Sequence, residues 1–165
     1  MAKEAFSKRR ELLTKGLSLA TKKKIIKTLI WSVALYGAET WTLKADVKRR
    51  LEALEMWIWR RMEKIPWTAH VSNEQVLTKV REMRQLLQKV VIRQKNWIGH
   101  VLRGDGLLRK VIEDKMEGKR TRGRKRKCML NIFLEEEDYI SLKRRAQDRM
   151  RWRMWLPRTC LVTEH

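Results

Sequence analysis

Apolar residues recur at steps of three and four positions along much of this chain, and this spacing predicts amphipathic helices. The clearest pattern runs from about Ala45 to Ile65 and is followed by Pro66, which cannot continue a helix. Its apolar positions are Val47, Leu51, Leu54, Ile58, Met62 and Ile65. No segment shows the strict alternation that is typical of a half-buried strand. We therefore expect an all-α protein built as a helical bundle.

Two helices are predicted before residue 40. A charged helix is expected over Ala2 to Lys15, with Gly16 at its end. A second helix is expected to begin at Ser18 or Thr21, because these residue types cap helix N-termini. Glycine readily adopts the left-handed conformation that ends helices, so Gly37 is the expected cap at the other end.

Three further helices are predicted after Pro66. Ser72 followed three residues later by Gln75 is the pattern of a capping box, which opens a helix. Leu87 to Leu102 is strongly amphipathic, and Leu107 to Glu117 should form one more short helix.

A change in composition divides the chain. The run Lys119–Lys127 reads KRTRGRKRK and contains seven basic residues in nine, so it predicts an exposed loop or linker. We expect a bundle over residues 1–117, a basic linker over 118–127 and a helical tail over 128–165.

The net charge of +21 predicts that the helical bundle binds a polyanion. Arginine side chains match phosphate geometry, and the eight tryptophans offer faces on which bases can stack. This pairing favours nucleic acid over an acidic membrane surface. The apolar stretches are too interrupted for a membrane span, and the first residues lack the apolar run of a signal peptide. We expect an intracellular protein, nuclear or cytoplasmic, with no membrane association.

Two groups of basic residues are the candidate nucleic-acid-binding sites. The first lies on the helix predicted from Ala45, away from its apolar stripe, and the second is the basic run, whose contacts would be to phosphates and would carry no sequence information. The candidates are Lys48, Arg49, Arg60, Arg61, Lys119, Arg120, Arg122, Arg124, Lys125, Arg126 and Lys127. The run also has the composition of a nuclear localisation signal, or it could be a solvated linker only.

Tryptophans can serve as core residues or as stacking platforms. Trp57 and Trp59 lie two positions apart, so on one helix they cannot both face the core. Core positions are the more common expectation for Trp31, Trp41 and Trp97. The candidates for exposed stacking or for partner docking are Trp67, Trp152 and Trp155.

Catalytic and metal-binding patterns are not found in the sequence. The five aspartates are scattered, whereas two-metal nucleotidyl transfer needs clustered carboxylates. Cys128 and Cys160 form no pair at a ligand spacing, and His100 has no companion base or nucleophile, while His70 is expected in a turn. We predict no catalytic residue, no metal and no cofactor, and we do not expect an enzyme.

Several ordered blocks of the chain resemble the region after the palm in reverse transcriptases of non-LTR (LINE-type) retrotransposons, in particular the RTE-like clade. The blocks are LIWSVALYGAETWTL at Leu29–Leu43, RLEALEMWIWRRMEKIPWT at Arg50–Thr68, HVSNEQVL at His70–Leu77, WIGHVLR at Trp97–Arg103, KMEGKRTRGRKRK at Lys115–Lys127 and AQDRMRW at Ala146–Trp152. The resemblance implies the thumb and C-terminal region of an endonuclease–reverse transcriptase. In that family the thumb is a helical bundle that grips the template–primer duplex, and the catalytic palm and the endonuclease lie upstream.

Two functions follow as hypotheses. The first is a thumb-like bundle with a basic tail that binds RNA, an RNA–DNA hybrid or duplex DNA through the backbone. The second is a helical module that packs on a palm domain or another protein partner, or a retrotransposon relic without function. A continuous basic groove would favour the first, and a large exposed apolar patch would favour the second.

Overall fold

The computed structural model describes residues 1–9, 11, 13, 16–113, 123, 128–135 and 137–157. Within these ranges the protein is all-α and contains no strand, as the apolar spacing predicts. The α-helices are α1 (Ala2–Lys8), α2 (Leu19–Ile25), α3 (Trp31–Ala34), α4 (Ala45–Met62), α5 (Asn73–Val80), α6 (Leu86–Arg103), α7 (Leu107–Glu113), α8 (Asn131–Leu134), α9 (Tyr139–Gln147) and α10 (Arg149–Met154). A π-helical segment, Ile26–Ile30, joins α2 to α3, and 3₁₀ turns occupy Ala38–Thr40 and Trp67–Ala69.

The contacts divide the chain into two compact units. The first consists of Met1–Ala38 and Ala45–Leu87, and the second of Glu39–Lys44 and Gln88–His165. The linker predicted for residues 118–127 lies outside the described residues apart from Gly123, and the predicted boundary at residue 117 lies outside them as well. No helix in the described ranges is both long enough and apolar enough to cross a membrane.

Helix α4 confirms the prediction of a helix beginning at Ala45, but it ends at Met62 rather than Ile65. Lys64 adopts the left-handed conformation (φ 54°). The N–H of Ile65 bonds the carbonyl of Arg60 at 3.0 Å, and the N–H of Lys64 bonds that of Arg61 at 3.3 Å. This is the Schellman pattern, so the helix is ended by backbone hydrogen bonds before Pro66 is reached.

The capping predictions are confirmed where they depend on neighbouring residues. Ser72 and Gln75 form both hydrogen bonds of the capping box at the start of α5. Ser18 caps α2 by accepting from the N–H of Thr21. The helical run that follows ends at Ala34 with Leu35 as its cap, two residues before the predicted cap Gly37, which does take the left-handed conformation (φ 65°).

The core of the first unit surrounds two indoles in edge contact. Trp31 and Trp59 are both buried, with ring centroids 6.1 Å apart. The buried aliphatic residues of this unit include Ile26, Ile30, Ile58, Val76 and Val80. Burial of this apolar surface is the main favourable contribution to the folding of the unit.

A buried carboxylate connects α4 to the start of α6. Glu55 is 1% exposed, and its Oε1 and Oε2 accept from the N–H groups of Gln85 at 2.9 Å and Leu86 at 3.2 Å. These two groups lie at the beginning of a helix, where backbone donors lack intrahelical partners and the helix dipole favours negative charge. Burial nevertheless raises the pKa of the Glu55 carboxyl above its ordinary value, and the two hydrogen bonds only partly offset that cost.

The second unit packs its C-terminal helices on α6. Leu102, Phe133 and Leu142 are fully buried there. Arg103 donates to the carbonyl of Ala146 at 2.9 Å, and Gln147 donates to that of Leu102 at 3.2 Å. The end of α6 and the end of α9 are thus joined through carbonyls that a helix C-terminus leaves without intrahelical partners.

Candidate nucleic-acid interface

An open groove of about 840 Å³ lies within the first unit. Helices α1 and α4, the turn after Pro66 and the segment between α5 and α6 all contribute to its walls. Its cationic residues are Lys3, Arg49, Arg50, Arg60 and Arg84, and its aromatic residues are Trp57 and Trp67. Among the described residues that line it, Glu52 is the only acidic one. The groove therefore combines positive charge with aromatic faces, which is the chemistry that nucleic acids require.

Trp57 lines the groove, and its ring contacts one aromatic side chain and two cations. Its ring meets Phe6 edge-on at 5.2 Å between centroids. The Nζ of Lys3 lies 5.4 Å from the Trp57 ring centroid, and the guanidinium carbon of Arg61 lies 6.0 Å from it. Cations at this distance are attracted by the negative face of the indole. Trp57 is therefore a half-buried residue of α4 that contacts Phe6 and Lys3 of α1 as well as Arg61 of its own helix.

Trp67 differs from Trp57 because it is almost wholly exposed, at 92%. It follows Pro66, whose φ is −70°, and begins the 3₁₀ turn Trp67–Ala69. His70 ends that turn in the left-handed conformation with a φ of 47°. The proline ring restricts the φ of Pro66, which is the residue directly before the indole.

Arg60 has a structural task in the groove. One of its guanidinium nitrogens, Nη2, donates to the carbonyl of Val71 at 2.7 Å and to the Oδ1 of Asn73 at 3.0 Å. These bonds fasten the segment after the exposed turn to α4. Arg60 consequently has fewer donors left for a ligand than its neighbours along the groove.

The other arginines of the groove make only weak or exposed ion pairs. Arg50 pairs with Asp46 at 2.9 Å, while Arg49 is 3.8 Å from the same carboxylate. Arg84 is 3.8 Å from the carboxylate of Glu74. Exposed pairs of this kind contribute little to stability, because water screens their attraction. Replacing such a carboxylate partner with a phosphate therefore costs little free energy.

The structure brings together some of the predicted binding residues and separates others. Arg49 and Arg60 line the groove, whereas Lys48 lies on the same helix but does not line it. Arg61 contacts the Trp57 ring and lines a smaller cavity of about 180 Å³. The basic residues of the run lie outside the described residues, so their role stays a prediction. These residues are Lys119, Arg120, Arg122, Arg124, Lys125, Arg126 and Lys127.

Three cations of the groove were not among the predicted sites. Lys3 comes from α1, Arg50 is the neighbour of a predicted residue, and Arg84 precedes α6. Periodicity describes one helix at a time, so it gives no signal that residues 3 and 84 meet the same surface of α4. Arg50 had a signal, because it lies within the same basic cluster as Arg49.

The predictions for individual aromatic and histidine residues have mixed outcomes. Trp31 is buried as expected, while Trp41 and Trp97 are only half-buried. Trp59 is buried and Trp57 is not, so the pair does divide between core and surface. The expectation of exposure is wrong for Trp152, which is 3% exposed because it packs on Gly99 of α6. His70 does lie in a turn.

Among the described residues, no group of three or more His, Cys, Asp or Glu side chains is placed so that it could hold a metal ion. No family model, no curated protein and no solved structure matches this chain. A function must therefore be inferred from the chemistry of the groove itself.

Proposed function

We propose that the chain is a nucleic-acid-binding module that holds the phosphate backbone of RNA or DNA in the groove of the first unit. The observation that carries the proposal is the set of five cations and two tryptophans that line one groove, where Glu52 is the only acidic residue among the described lining residues. Arginine forks bind phosphates with matched geometry, and each neutralised phosphate releases condensed counterions. The net charge of +21 adds a long-range attraction for any polyanion.

The resemblance to the thumb region of non-LTR retrotransposon reverse transcriptases agrees with this proposal. A thumb grips a template–primer duplex through its backbone, and the sequence of the basic run Lys119–Lys127 predicts phosphate contacts of its own. In this proposal the chain supplies binding and no nucleotidyl transfer of its own. Its partner would be RNA, an RNA–DNA hybrid or duplex DNA in the nucleus or cytoplasm.

The proposal is tested by the salt dependence of binding. The variant Arg49→Gln/Arg84→Gln removes two charges from the groove, and the matched variant Lys24→Gln/Lys89→Gln removes two exposed charges that do not line it. Both pairs are titrated with two unrelated sequences, each as duplex and as single strand, at several salt concentrations. Circular dichroism provides the folding control.

The groove variant should flatten the slope of log affinity against log salt by about 1.4 units on single strands and about 1.8 on duplex, since each phosphate contact adds about 0.7 or 0.9. The matched variant should change it by much less, and the two sequences should behave alike. Equal slopes for the two variants would contradict the groove as the binding surface.

A second candidate function is a helical module that packs on a polymerase palm domain. Apolar residues on α7 favour it, because Leu107, Leu108 and Val111 are 76%, 55% and 68% exposed in the described part of the chain. If this function is the relevant one, Leu108→Glu should abolish association with a palm domain from that family, and the groove variant should leave the association intact.

A further inference from the structure

The exposure of Trp67 is unusual for so large an apolar side chain. Tryptophan buries more surface than most residues, and full exposure forfeits the stabilisation of roughly 25 cal/mol per Å² that burial would bring. Trp67 is nevertheless 92% exposed, and it lines the cationic groove rather than an isolated part of the surface. The turn that carries the indole begins after Pro66, whose ring restricts its φ, and ends at His70.

The second tryptophan of the groove cannot take the same role. Phe6 meets the ring of Trp57 edge-on, and Lys3 and Arg61 lie over it. A base that stacked there would have to displace one of these cations. Trp67 is thus the groove tryptophan whose ring is open to a ligand.

An exposed indole beside phosphate-binding arginines recognises one form of nucleic acid better than another. In a duplex, the face of each internal base is covered by its neighbours, so an indole outside the helix meets sugar, phosphate and base edges rather than a base face. An unpaired base has a free face, and stacking on tryptophan is favourable for every base type. A volume of about 840 Å³ also falls within the range of roughly 300–1,000 Å³ that is usual for small-molecule sites.

We infer that Trp67 is a stacking platform for an unpaired base, and that the groove takes a single-stranded segment whose flanking phosphates contact Arg49, Arg50 and Arg84. This inference rests on the proposed function and adds to it a preference for strands with at least one unpaired base. It makes the single strand, or the single-stranded end of a duplex, the preferred ligand of this surface.

The test separates the base from the backbone. The two probes are an oligothymidylate and an oligodeoxynucleotide of the same length in which the central nucleotides are abasic. Both carry the same phosphates, and only the first carries bases throughout. The chain is assayed as wild type, as Trp67→Ala, as Trp67→Phe, and as Tyr36→Ala, which removes an exposed aromatic (83%) that does not line the groove.

Wild type should bind the oligothymidylate more tightly than the abasic strand. Trp67→Ala should weaken the oligothymidylate by roughly five- to a hundredfold and leave the abasic strand almost unchanged. Trp67→Phe should retain part of the preference, and Tyr36→Ala should retain all of it. Since both residues are exposed, helical content should not change in any variant.

Two possible results distinguish a failure of the stacking inference from a failure of the proposed function. If both probes bind with the salt slope that depends on Arg49 and Arg84, but Trp67→Ala weakens them equally or not at all, the stacking inference is overturned and the groove binds backbone only. If neither probe shows that slope, the proposed function itself fails, and the stacking inference fails with it.

Discussion

Lys95 and Trp152 hold each other through reciprocal hydrogen bonds. The Nζ of Lys95 donates to the carbonyl of Trp152 at 3.1 Å, and the Nε1 of Trp152 donates back to the carbonyl of Lys95 at 3.2 Å. The same ammonium also donates to the carbonyls of Arg153 at 3.3 Å and Trp155 at 2.8 Å. A buried positive charge therefore satisfies the carbonyls at the end of α10, where the helix dipole favours a cation.

Lys95→Met should destabilise the protein by about 2 to 4 kcal/mol, because it leaves carbonyls without their donor in a buried site. Methionine keeps most of the side-chain volume, so the loss would reflect the missing ammonium rather than a cavity. Urea unfolding followed by circular dichroism measures the change. The control is Lys89→Met on the same helix, an exposed position that should change the stability by no more than about 0.5 kcal/mol. Equal unfolding midpoints for the two variants would rule out this role.

Gly99→Ala should also be destabilising, although alanine is the better helix former by about 1 kcal/mol. A methyl group at residue 99 would overlap the Nε1 of Trp152 and lie 2.5 Å from its Cε2. The indole is packed and hydrogen-bonded, so overpacking should cost about 1 to 3 kcal/mol. Gly104→Ala is the control, since the nearest atoms to its added methyl are 3.8 Å away. A gain in stability for Gly99→Ala would show that the indole moves aside freely.

Features that depend on neighbouring residues could be predicted from the sequence. The capping box of Ser72 and Gln75 and the start of α4 at Ala45 involve contacts within four residues, so the sequence pattern contains them. The burial of Trp152 depends on Gly99, which lies far away in the sequence, and no local pattern reports it. The groove could not be predicted for the same reason, because Lys3, Arg49 and Arg84 are far apart in the sequence and come together only in the folded chain.

The apolar spacing of the sequence does indicate the burial of two charged residues. Glu55 follows Leu51 by four positions on α4, and Lys95 follows Val91 by four on α6, so each occupies a core position of its helix. A charged residue at such a position indicates a specific buried partner. Which helix terminus provides that partner could not be predicted, because it belongs to another element.

Glu82 should make stability fall in acid. Burial opposes its ionisation, but the ammonium groups of Lys27 at 2.9 Å and Lys23 at 3.1 Å outweigh this and lower the pKa of Glu82 below 4.5. A depressed pKa gives stability that is present above 4.5 and is lost as the pH falls through the lowered value. The difference in unfolding free energy between wild type and Glu82→Gln should thus be constant above 4.5 and shrink below it. If this difference in unfolding free energy did not depend on pH, the ion pairs of Glu82 with Lys23 and Lys27 would not contribute to stability as proposed.

Glu55 should have the opposite pH dependence. Burial raises its pKa, so its contribution is largest below 4.5 and is lost as the pH rises through the raised value. The stability of wild type relative to Glu55→Gln should therefore decrease between pH 4.5 and that value. The measurement is urea unfolding at a series of pH values, with Glu82→Gln as the variant of opposite sign. A parallel response of the two variants would mean that the Glu55 carboxyl is hydrated rather than buried.

The basic run should add phosphate contacts of its own if it lies along a nucleic-acid backbone. Its sequence, KRTRGRKRK, carries no acidic residue that could compete for its charges. Replacing Arg122, Arg124, Lys125 and Arg126 by Ala should then flatten the salt slope by roughly two to four units, since each lost contact removes about 0.9 on duplex or 0.7 on single strands. Two unrelated duplexes should weaken alike, because phosphates carry no sequence information.

The base-dependent preference that we assign to Trp67 should survive this change, because the stacking platform and the run are separate contacts. Helical content, followed by circular dichroism, should not change either, since a run of like charges supports no core. An unchanged salt slope in the four-residue variant would leave the run as a solvated linker or a localisation signal. Nucleic-acid binding would then depend on the groove, and Arg49→Gln/Arg84→Gln should still flatten the slope by about 1.4 units on single strands or about 1.8 on duplex.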